Sequence, residues 1–296
     1  MAFGLTGTFT RAANTSLMKQ VDEKTKDALY KKLTMFNPST GPSETLEWLG
    51  YLPGMSEWLG DRQIKGLRKK SYTITNKKWE STIGFKQDDL EDNPSIVKAQ
   101  IPMLVDSVIE HPTNLLFKLI VDGETGVCYD GQPMFDNSHP YFDDDDVEQT
   151  FDNLLDGNGI TVANIQTDFG LAVAAFQSYK KRNGDPVFAT VDKVTIIHSP
   201  ALNVLMKEAF VSDIIGTDTN VYAGQADLIS SGYLTGNDWY ALILTKAMKP
   251  FIFQLRKKVV SKWSIDEFMT ENVLYGVDGR YNVGYGFPHF AIKIDN

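Results

Sequence analysis

The sequence predicts an α+β fold, and three observations support this prediction. Segments with apolar residues at every third or fourth position, which is typical of helices, occur in the first two thirds of the chain. Short runs of alternating apolar residues, which are typical of strands, dominate the final third. The two kinds of segment do not follow each other in a regular βαβ order, so a parallel α/β fold is not indicated.

The composition is that of an ordinary globular protein. The chain has 296 residues, of which 42% are hydrophobic and 23% are charged, so it can bury a sizeable core. Its net charge of -9 argues against extensive nucleic-acid binding, because the average surface repels phosphate. One cysteine excludes an intrachain disulfide framework. With no signal-peptide pattern and no run of 18 apolar residues, we expect a soluble protein without a classical export signal.

The N-terminal region predicts a helical arm. Residues 15–36 carry apolar side chains at spacings of about three, four or seven, interleaved with charged residues. Residues 37–42 (Asn-Pro-Ser-Thr-Gly-Pro) are turn formers that would end this helix. The spacing therefore predicts one amphipathic helix followed by a linker.

The next region combines a basic segment with two strand-like runs. Residues 62–70 carry five basic side chains and no acidic one: Arg62, Lys65, Arg68, Lys69 and Lys70. Alternating apolar residues follow in 72–75 and 79–85, and residues 76–78 are a plausible turn between two strands. A cationic hairpin has little to bury against its own chain, so we expect it to lie on another molecule. A merely solvated charged face is the alternative.

A long helical segment follows an acidic step. The acidic residues are Asp88, Asp89, Glu91 and Asp92. From Asn93 to about residue 122 the apolar residues recur at the helical period. Pro102 and Pro112 each remove a backbone donor, so the pattern predicts a long kinked helix or two helices in line.

The remaining two thirds predict a mixed body. Residues 127–135 indicate a short strand with a glycine turn, and residues 136–146 a polar surface loop. A clear amphipathic helix covers residues 165–179, with the basic residues 180–182 in its last turn. Residues 193–198 indicate a buried strand, after which Ser199 and Pro200 are expected to cap and begin a helix.

The final third predicts loops and then strands. Residues 211–238 are rich in turn formers, which indicates loops with short strands. Four alternating runs then predict strands of a sheet: residues 239–244, 251–255, 273–277 and 290–294.

No catalytic, cofactor-binding or metal-binding constellation emerges from these residues. His139 with the acidic run Asp143–Asp146 is the strongest candidate, because carboxylates suit calcium or magnesium, although a solvated loop explains it better. Cys128 would need one of four histidines as a base (His111, His139, His198 or His289), and its strand-like context favours a buried hydrophobe.

Three further patterns have ordinary structural explanations. Ser199 lacks a Gly-x-Ser-x-Gly turn, and the glycines of residues 276–286 lack the helix start of a phosphate loop. Aromatic residues near the basic segment leave single-stranded nucleic-acid binding open, but Tyr72 and Trp79 fit the packing of a strand face better. A metal-dependent hydrolase or divalent-ion-binding protein using His139 and Asp143–Asp146 remains the alternative function.

Several sequence strings occur in an order that resembles a known family. They are Trp-Leu-Gly-Asp-Arg at 58–62, Tyr-Thr-Ile-Thr-Asn-Lys-Lys-Trp-Glu at 72–80, Asp-Asp-Leu-Glu-Asp at 88–92, Tyr-Asp-Gly-Gln-Pro-Met-Phe-Asp-Asn-Ser-His-Pro at 129–140 and Tyr-Gly-Val-Asp-Gly-Arg-Tyr-Asn-Val-Gly-Tyr-Gly at 275–286. Together with the order of elements, they resemble the Hong Kong 97-type major capsid proteins of tailed phages. The closer resemblance is to the Mu-like major head subunits of the gpT family.

The resemblance implies a division of the chain. It assigns an N-terminal arm to residues 1–52, an extended β-hairpin loop to 53–86 and a spine helix to 87–122. A peripheral domain would take residues 123–186 with 245–296, and an axial domain residues 187–244.

The resemblance also implies a structural, non-enzymatic function without cofactors. Copies of the chain would self-assemble as hexamers and pentamers into an icosahedral virion shell, in the cytoplasm of the host. The shell would enclose double-stranded DNA without sequence-specific binding and without a membrane. The basic loop residues 62–70 would meet an acidic surface on a neighbouring subunit, with residues 88–92 as candidate acceptors. Scaffold, portal and decoration proteins are the expected partners, and the start at Met1 favours a separate scaffold protein.

Overall fold

The structure is a computed structural model that describes residues 15, 17–49, 52, 71–86, 88, 95–266 and 272–296. The helices of this part are α1 (17–25), α2 (Leu29–Leu33), α3 (Ser95–Val121), α4 (Val162–Ser178) and α5 (Asn203–Phe210). The strands are β1 (Thr34–Pro38), β2 (Ser43–Leu46), β3 (Tyr72–Thr75), β4 (Lys77–Lys86), β5 (His139–Phe142), β6 (Glu148–Phe151), β7 (Leu154–Asp156), β8 (Val194–His198), β9 (Ile214–Ile215), β10 (Asp218–Thr219), β11 (Ala226–Ser230), β12 (Trp239–Leu242), β13 (Phe251–Asp266), β14 (Asn272–Tyr285) and β15 (Ala291–Asp295).

A four-stranded sheet forms one half of the framework. Its strand order is β1-β13-β14-β4, with β1 parallel to β13 and the other neighbours antiparallel. Alternate residues of β14 are buried, as a strand with one covered face requires. Tyr275 and Val277 on that face pack against α1 and α3 through Leu17, Leu104 and Val105. The sheet therefore rests on the long helix with one face.

A five-stranded sheet forms the other half, in the order β11-β8-β12-β15-β7. One face packs against α4 and α5 through an apolar cluster that includes Ile196 and Trp239. The opposite face contributes Ile197 and Leu242 to a second cluster, which also contains Phe117 near the end of α3. The strands predicted in the final third are confirmed, and they lie in these two sheets. The α+β class is confirmed as well.

The long helix is continuous. α3 runs from Ser95 to Val121 as one helix with Pro102 and Pro112 inside it, so the alternative of two separate helices is wrong. Leu116, Phe117 and Ile120 are almost completely buried in its last turns. Burial of this face stabilises the helix enough to offset the backbone hydrogen bond that each proline removes.

The single N-terminal helix predicted for residues 15–36 is wrong. The chain turns after residue 25, forms the short helix α2 and then enters β1 at Thr34. Met35 and Phe36 pair with Ile252 and Phe253 of β13, so backbone pairing overrides the apparent helical spacing. Pro38, predicted to be in a turn, ends β1 at the edge of the sheet, where its missing N–H is tolerated.

The predicted pairing around residues 76–78 is also wrong. β3 pairs with β2, whereas β4 pairs with β14, so the two runs belong to different sheets. Asn76 separates them, and it is buried rather than exposed in a turn. Hydrogen bonds from Asn76 to Ser39 and Gly41 explain why the chain crosses between sheets at this residue.

Smaller corrections concern loops and caps. Residues 136–146 are not all loop, because β5 begins at His139 and pairs with β6. The predicted strand at 127–135 is reduced to one bridge between Val127 and Pro133. Residues 180–182 lie beyond the end of α4, in a turn that the bridge between Lys180 and Pro186 closes.

The predicted start of the second helix is displaced. A short 3-10 turn (Pro200–Leu202) precedes α5, which begins at Asn203. The Ser199 hydroxyl does not cap this turn, because it donates a hydrogen bond to the Gly236 carbonyl at 2.7 Å.

Candidate assembly site

Most of the predicted site lies outside the described residues. This holds for the five basic residues Arg62, Lys65, Arg68, Lys69 and Lys70, and for three of the acidic candidates, Asp89, Glu91 and Asp92. Asp88 is described, and it is exposed. The arrangement of the basic segment relative to the acidic step therefore stays a prediction.

The described residues show which strands flank the basic segment in the chain. β2 and β3 form an antiparallel pair in which Ser43 lies opposite Thr75 and Leu46 lies opposite Tyr72. Residues 47–71 connect these two strands and contain all five basic residues. We call this connection the finger, and the pair β2–β3 the finger base.

Two buried amides fasten the finger base to the four-stranded sheet. Gln254 of β13 is fully buried, and its Nε2 donates to the Ile74 carbonyl at 2.9 Å and to Asn76 Oδ1 at 3.1 Å. Its Oε1 accepts from Asn37 Nδ2 at 3.2 Å. Asn76 Nδ2 in turn donates to Ser39 Oγ at 2.7 Å. Buried amides with satisfied partners fix a unique geometry, because each lost bond would leave a desolvated polar group.

A carboxylate closes the turn between β1 and β2. Glu44 Oε1 accepts hydrogen bonds from the Gly41 backbone N–H at 3.0 Å, from Ser39 Oγ at 2.8 Å and from the Thr40 N–H at 2.8 Å. The bond from Gly41 contributes most to lowering the pKa of Glu44, followed by those from Ser39 and Thr40, because all three favour the charged carboxylate. The turn that positions β2 is thus held by an ionised side chain.

β3 packs closely against β14. A Cβ atom at Gly284 would lie 2.6 Å from Ile74 Cδ1 and 3.0 Å from a ring carbon of Tyr72, so only glycine allows this approach. The Tyr285 N–H donates to the Tyr72 hydroxyl at 3.2 Å, and Asn282 Nδ2 donates to the Thr75 carbonyl at 2.8 Å. The finger base is therefore part of the rigid body.

A large apolar cleft opens at the β1 edge of the same sheet. Its volume is about 710 Å³, and it lies between α1, β1 and α3. Met18, Ile109 and Phe253 line it, and Phe36 of the edge strand β1 stands 63% exposed at its side. The four-stranded sheet thus carries both a clamped hairpin and an open apolar edge.

Among the described residues, the structure does not group His139 with the acidic run as metal ligands, so it does not support the alternative of a metal site there. His139 is fully buried, with Nδ1 2.6 Å from Asp130 Oδ2 and Nε2 3.1 Å from Asn153 Oδ1. Asp143–Asp146 lie in the exposed turn between β5 and β6. There, Arg182 forms ion pairs with Asp144 and Asp146. Burial and two hydrogen bonds explain the position of His139. Exposure to solvent and ion pairs with Arg182 explain the acidic run.

Within the described part of the chain, Glu124, Asp238 and Asp295 are the carboxylates close enough to share a cation. The Lys293 ammonium group already occupies their centre: it lies 2.8 Å from Asp238 and 3.0 Å from Asp295, and it also contacts Glu124. The charged contacts raise the pKa of Lys293 although burial opposes them. This group ties the end of α3 to β12 and β15.

The other sequence candidates have structural roles. Cys128 is buried beside Met134, and burial raises the pKa of its thiol well above the usual value, so its thiolate is disfavoured. The Trp79 ring lies against the His111 ring in a tilted arrangement, and its Nε1 donates to the Tyr281 carbonyl at 3.0 Å. Tyr72 packs near Tyr285. These aromatic residues pack the sheet, as the sequence indicated.

The sequence did not predict the hydrogen bonds of Gln254 and Asn76 that join the finger base to the four-stranded sheet. The signals were present as single polar residues within strand-like runs, Asn76 after 72–75 and Gln254 in 251–255. Nothing in either run showed that the two amides, 178 positions apart, would meet. Across the described residues, none of the helices combines the length and the apolar character needed to cross a membrane.

Comparisons with known proteins identify the family. A family profile described as "Mu-like prophage major head subunit gpT" matches residues 8–165 and 235–296. The chain is 28% identical over 292 residues to the major capsid protein of Escherichia phage Mu, covering 96% of this chain and 72% of that protein. It is 28% identical over 268 residues to the Mu-like prophage FluMu major head subunit of Haemophilus influenzae, covering 88% of this chain and 64% of that protein.

The solved structures agree. The chain resembles a chain of the procapsid of bacteriophage JBD30 with a TM-score of 0.58 and 27% identity, covering 98% of this chain and 75% of that one. The profile match extends over most of the chain and includes the finger, the long helix and both halves of the β13–β14 hairpin. The chain therefore belongs to the Mu-like prophage major head subunit gpT family, and it is a major capsid protein with the Hong Kong 97-type fold.

Proposed function

We propose that copies of this chain assemble, as hexamers and pentamers, into the icosahedral shell that encloses the double-stranded DNA of a tailed phage. The observation that carries the proposal is the family match over residues 8–165 and 235–296. A subunit of such a shell must present surfaces that fit copies of itself. The finger is the first of these surfaces.

The finger is suited to reach a neighbouring subunit. Its base is fixed by buried amides, and Leu49, shortly after β2, is buried in the apolar core, so the chain on both sides of the basic residues is anchored before assembly. Less conformational freedom is then lost when the finger binds. In the proposal, Arg62, Lys65, Arg68, Lys69 and Lys70 contact acidic residues of the neighbour, with Asp88, Asp89, Glu91 and Asp92 as the acceptors.

The strength of such contacts comes from repetition. Each exposed ion pair contributes only about 0.2 to 1 kcal/mol, so no single pair determines assembly. Many weak contacts in a closed shell add up, and each remains reversible while errors are corrected. The contacts should also weaken as salt rises, because exposed charges are screened.

The domain division belongs to the same proposal. We assign residues 1–52 to an N-terminal arm, 53–86 to the extended loop and 87–122 to the spine helix. Residues 123–186 and 245–296 form the peripheral domain and 187–244 the axial domain. β8, β11 and β12 of the axial range share one sheet with β7 and β15 of the peripheral range, so the two domains would move as a coupled unit.

Partners and location follow from a shell of this kind. A net charge of -9 suits a container from which DNA must be released, because the average surface does not adsorb phosphate. We propose scaffold, portal and decoration proteins as further partners, assembly in the host cytoplasm and a place in the virion. The role is structural and not enzymatic.

Expression of the chain, alone and with the adjacent phage head genes, tests the proposal. Electron microscopy of the purified wild-type protein should show closed hollow particles. The variant R68E/K69E/K70E should remain as folded, unassembled subunits, because three cations of the finger become repulsive.

The matched control is K26E/K180E/K246E, which makes the same change of charge at exposed lysines elsewhere. It should form particles like those of the wild type. Normal particles from the finger variant would contradict the assigned role of the finger, and a discrete small oligomer from the wild-type chain under all conditions would contradict the shell.

A further inference from the structure

The sequence string at residues 129–140 contains a buried pair of titratable side chains. His139 Nδ1 lies 2.6 Å from Asp130 Oδ2, and the two side chains are 0% and 1% exposed. The second oxygen of Asp130, Oδ1, accepts a hydrogen bond from the Gln132 N–H at 3.2 Å. A carboxylate this deeply buried is destabilising unless a positive charge or a proton compensates it. The protonation of His139 therefore bears directly on the stability of this part of the fold.

The backbone around Asn153 fixes the orientation of its amide. Nδ2 donates to three backbone carbonyls, those of Met134 at 2.9 Å, Pro288 at 3.2 Å and Ala291 at 3.1 Å. Oδ1 accepts from the Asp136 N–H at 2.9 Å. Exchanging the oxygen and the nitrogen would set acceptors against acceptors and a donor against a donor. The atom 3.1 Å from His139 Nε2 is therefore the amide oxygen, so Nε2 must carry a proton.

A second proton must lie on the other side of the ring. A neutral His139 with its proton on Nε2 would turn the Nδ1 lone pair toward Asp130 Oδ2 at 2.6 Å, and two acceptors repel at this distance. The pair therefore holds one proton more than a neutral imidazole and a carboxylate do. Aspartic acid gives up a proton more readily than imidazolium does, so this proton belongs on Nδ1. The result is a buried ion pair of imidazolium and carboxylate.

The surroundings agree with a positive charge on His139. Phe151 lies between two histidine rings, with its centroid 4.9 Å from that of His139 and 4.0 Å from that of His289. Burial, and then the charge of His139, lower the pKa of His289 to about 3. One ring is thus charged and the other neutral. The other titratable groups near the pair in the described part of the chain are Cys128, Tyr129, Asp136, Tyr141, Asp152 and Tyr179.

We propose that His139 and Asp130 form a proton-dependent latch, which joins the segment before β6 to the start of β15 and which opens as the pH rises. Asp130 lies in the loop after α3, His139 begins β5, and Asn153 reaches the Pro288 and Ala291 carbonyls beside β15. Loss of the proton leaves a buried carboxylate against a lone pair. An unfolded chain loses its histidine protons at about pH 6.5, whereas the latch keeps one in the folded subunit, so stability falls as the pH rises above this value. The latch acts within the folded subunit, whether or not the chain assembles.

A comparison of the wild type with Asp130→Asn tests the latch. The asparagine amide can donate to Nδ1 of a neutral His139 ring, so the variant keeps the hydrogen bonds and needs no additional proton. Urea denaturation of the unassembled chains gives the equilibrium constants for unfolding. Between pH 7 and 8, we expect the constant of the wild type to rise by about eightfold relative to that of the variant. Groups that titrate alike in both chains, such as the other histidines, cancel in this ratio.

An exposed aspartate provides the matched control. Asp156→Asn makes the same chemical change at the end of β7, where the side chain is exposed. The ratio of the wild-type constant to the control constant should stay within about twofold between pH 7 and 8, because this carboxylate is ionised in the folded and the unfolded chain alike. An equally constant ratio of the wild type to Asp130→Asn would overturn the proposal.

Nuclear magnetic resonance of the wild-type chain, labelled with nitrogen-15 at histidine, locates the proton directly. The chain has four histidines, and His139→Gln identifies the signals of His139. At about pH 7.5 we expect protons on both ring nitrogens of His139 and a neutral ring at His289. A neutral His139 ring in the folded wild type would contradict the latch, and this measurement decides the question if Asp130→Asn does not fold.

Discussion

The finger base differs from the surface on and after α5, where Val204, Val211, Ile214 and Val221 are exposed. We call these four residues the α5 patch. The finger base is joined to the body by buried amides and by a glycine contact that tolerates no larger side chain. The α5 patch presents aliphatic side chains that are 61% to 73% exposed and that contribute little to their own subunit. Hydrogen bonds between buried groups fix a direction, whereas exposed apolar area supplies cohesion without a preferred direction.

The difference between these two regions predicts which substitutions should lower the stability of the subunit and which should not. A change in the finger base removes bonds within the subunit, so it should lower stability first and assembly as a consequence. A change in the α5 patch affects only exposed side chains, so it should leave the stability of the subunit unchanged. Four measurements test this contrast.

Loss of the central amide should have the largest effect. Gln254→Leu leaves the Ile74 carbonyl, Asn76 and Asn37 without their buried partner, and each such group costs about 1 to 3 kcal/mol. We expect the free energy of unfolding to fall by about 3 kcal/mol, measured by urea denaturation. The control Gln149→Leu, at an exposed position, should change it by less than about 0.5 kcal/mol. Equal effects of the two substitutions would show that the clamp does not stabilise the subunit.

Acid should destabilise the apolar cluster that α4 and α5 form with the five-stranded sheet. Burial, with a smaller contribution from His139, lowers the pKa of His289 to about 3. Its side chain packs between Phe151 and Tyr179. Below pH 6.5 the unfolded chain binds a proton at His289 that the folded chain does not, so stability falls as the pH drops from 6.5 towards 3. The loss is about 1.4 kcal/mol per pH unit, or about 2 kcal/mol between pH 6.5 and 5.

Hydrogen exchange tests where the acid acts. Protection of residues 194–210 should decrease at a higher pH than protection of residues 275–277, because the former share an apolar cluster with Phe151 and Tyr179, the ring partners of His289, and the latter belong to another cluster. His289→Gln should flatten the pH dependence over this range. A variant with the same slope as the wild type would show that another group causes the acid sensitivity.

Gly284→Ala should have an intermediate effect. The added Cβ would lie 2.6 Å from Ile74 Cδ1, so β3 must move away from β14. Overpacking of this kind costs about 1 to 3 kcal/mol, and the moved finger base should also misdirect the finger. Thermal unfolding and the yield of particles are the measurements. Gly232→Ala, where nothing lies within 4 Å of the added atom, is the control.

A second substitution sharpens this test. Ile74→Ala removes the two closest atoms that the new methyl group would meet and leaves only the contact with Tyr72 at 3.0 Å, so it should restore part of the particle yield in the Gly284→Ala background even though the core loses apolar area. Failure of the double variant to recover any assembly would indicate that Gly284 acts through something other than the contact with Ile74.

The smallest effect on the subunit is expected at the α5 patch. V204T/V211T/I214T/V221T should change the free energy of unfolding of the unassembled chain by less than about 0.5 kcal/mol, since exposed positions contribute little. The same urea titration measures it. A loss comparable to that of Gln254→Leu would mean that the patch belongs to the core of the subunit, and the contrast between the two regions would no longer hold.

Much of the architecture could be predicted from the sequence, for identifiable reasons. α4 and β8 carry uninterrupted periodicity and are confirmed, and α3 was visible despite its two prolines. Errors arose where long-range pairing decided the structure. Met35 and Phe36 fit a helical spacing, yet they pair with β13 more than 200 positions away. β3 and β4 are adjacent in sequence, yet they pair with different partners.

The candidate assembly site was harder to predict from the sequence than the fold. The basic residues 62–70 are conspicuous in the sequence. The amides that hold the neighbouring strand β3, Gln254 and Asn76, are ordinary polar residues. His139 was assigned to a surface loop because polar residues surround it, whereas Asp130 and Asn153 bind it inside the body. Local composition reports exposure on average, and it fails where a polar residue finds a buried partner.

Electron cryomicroscopy of assembled wild-type particles can show whether the finger contacts an adjacent copy, because it locates residues 47–71 relative to neighbouring subunits. We predict density for the finger lying across an adjacent copy, with residues 62–70 against acidic side chains of that copy. A finger folded against the four-stranded sheet of its own subunit, without contact to a neighbour, would contradict the account.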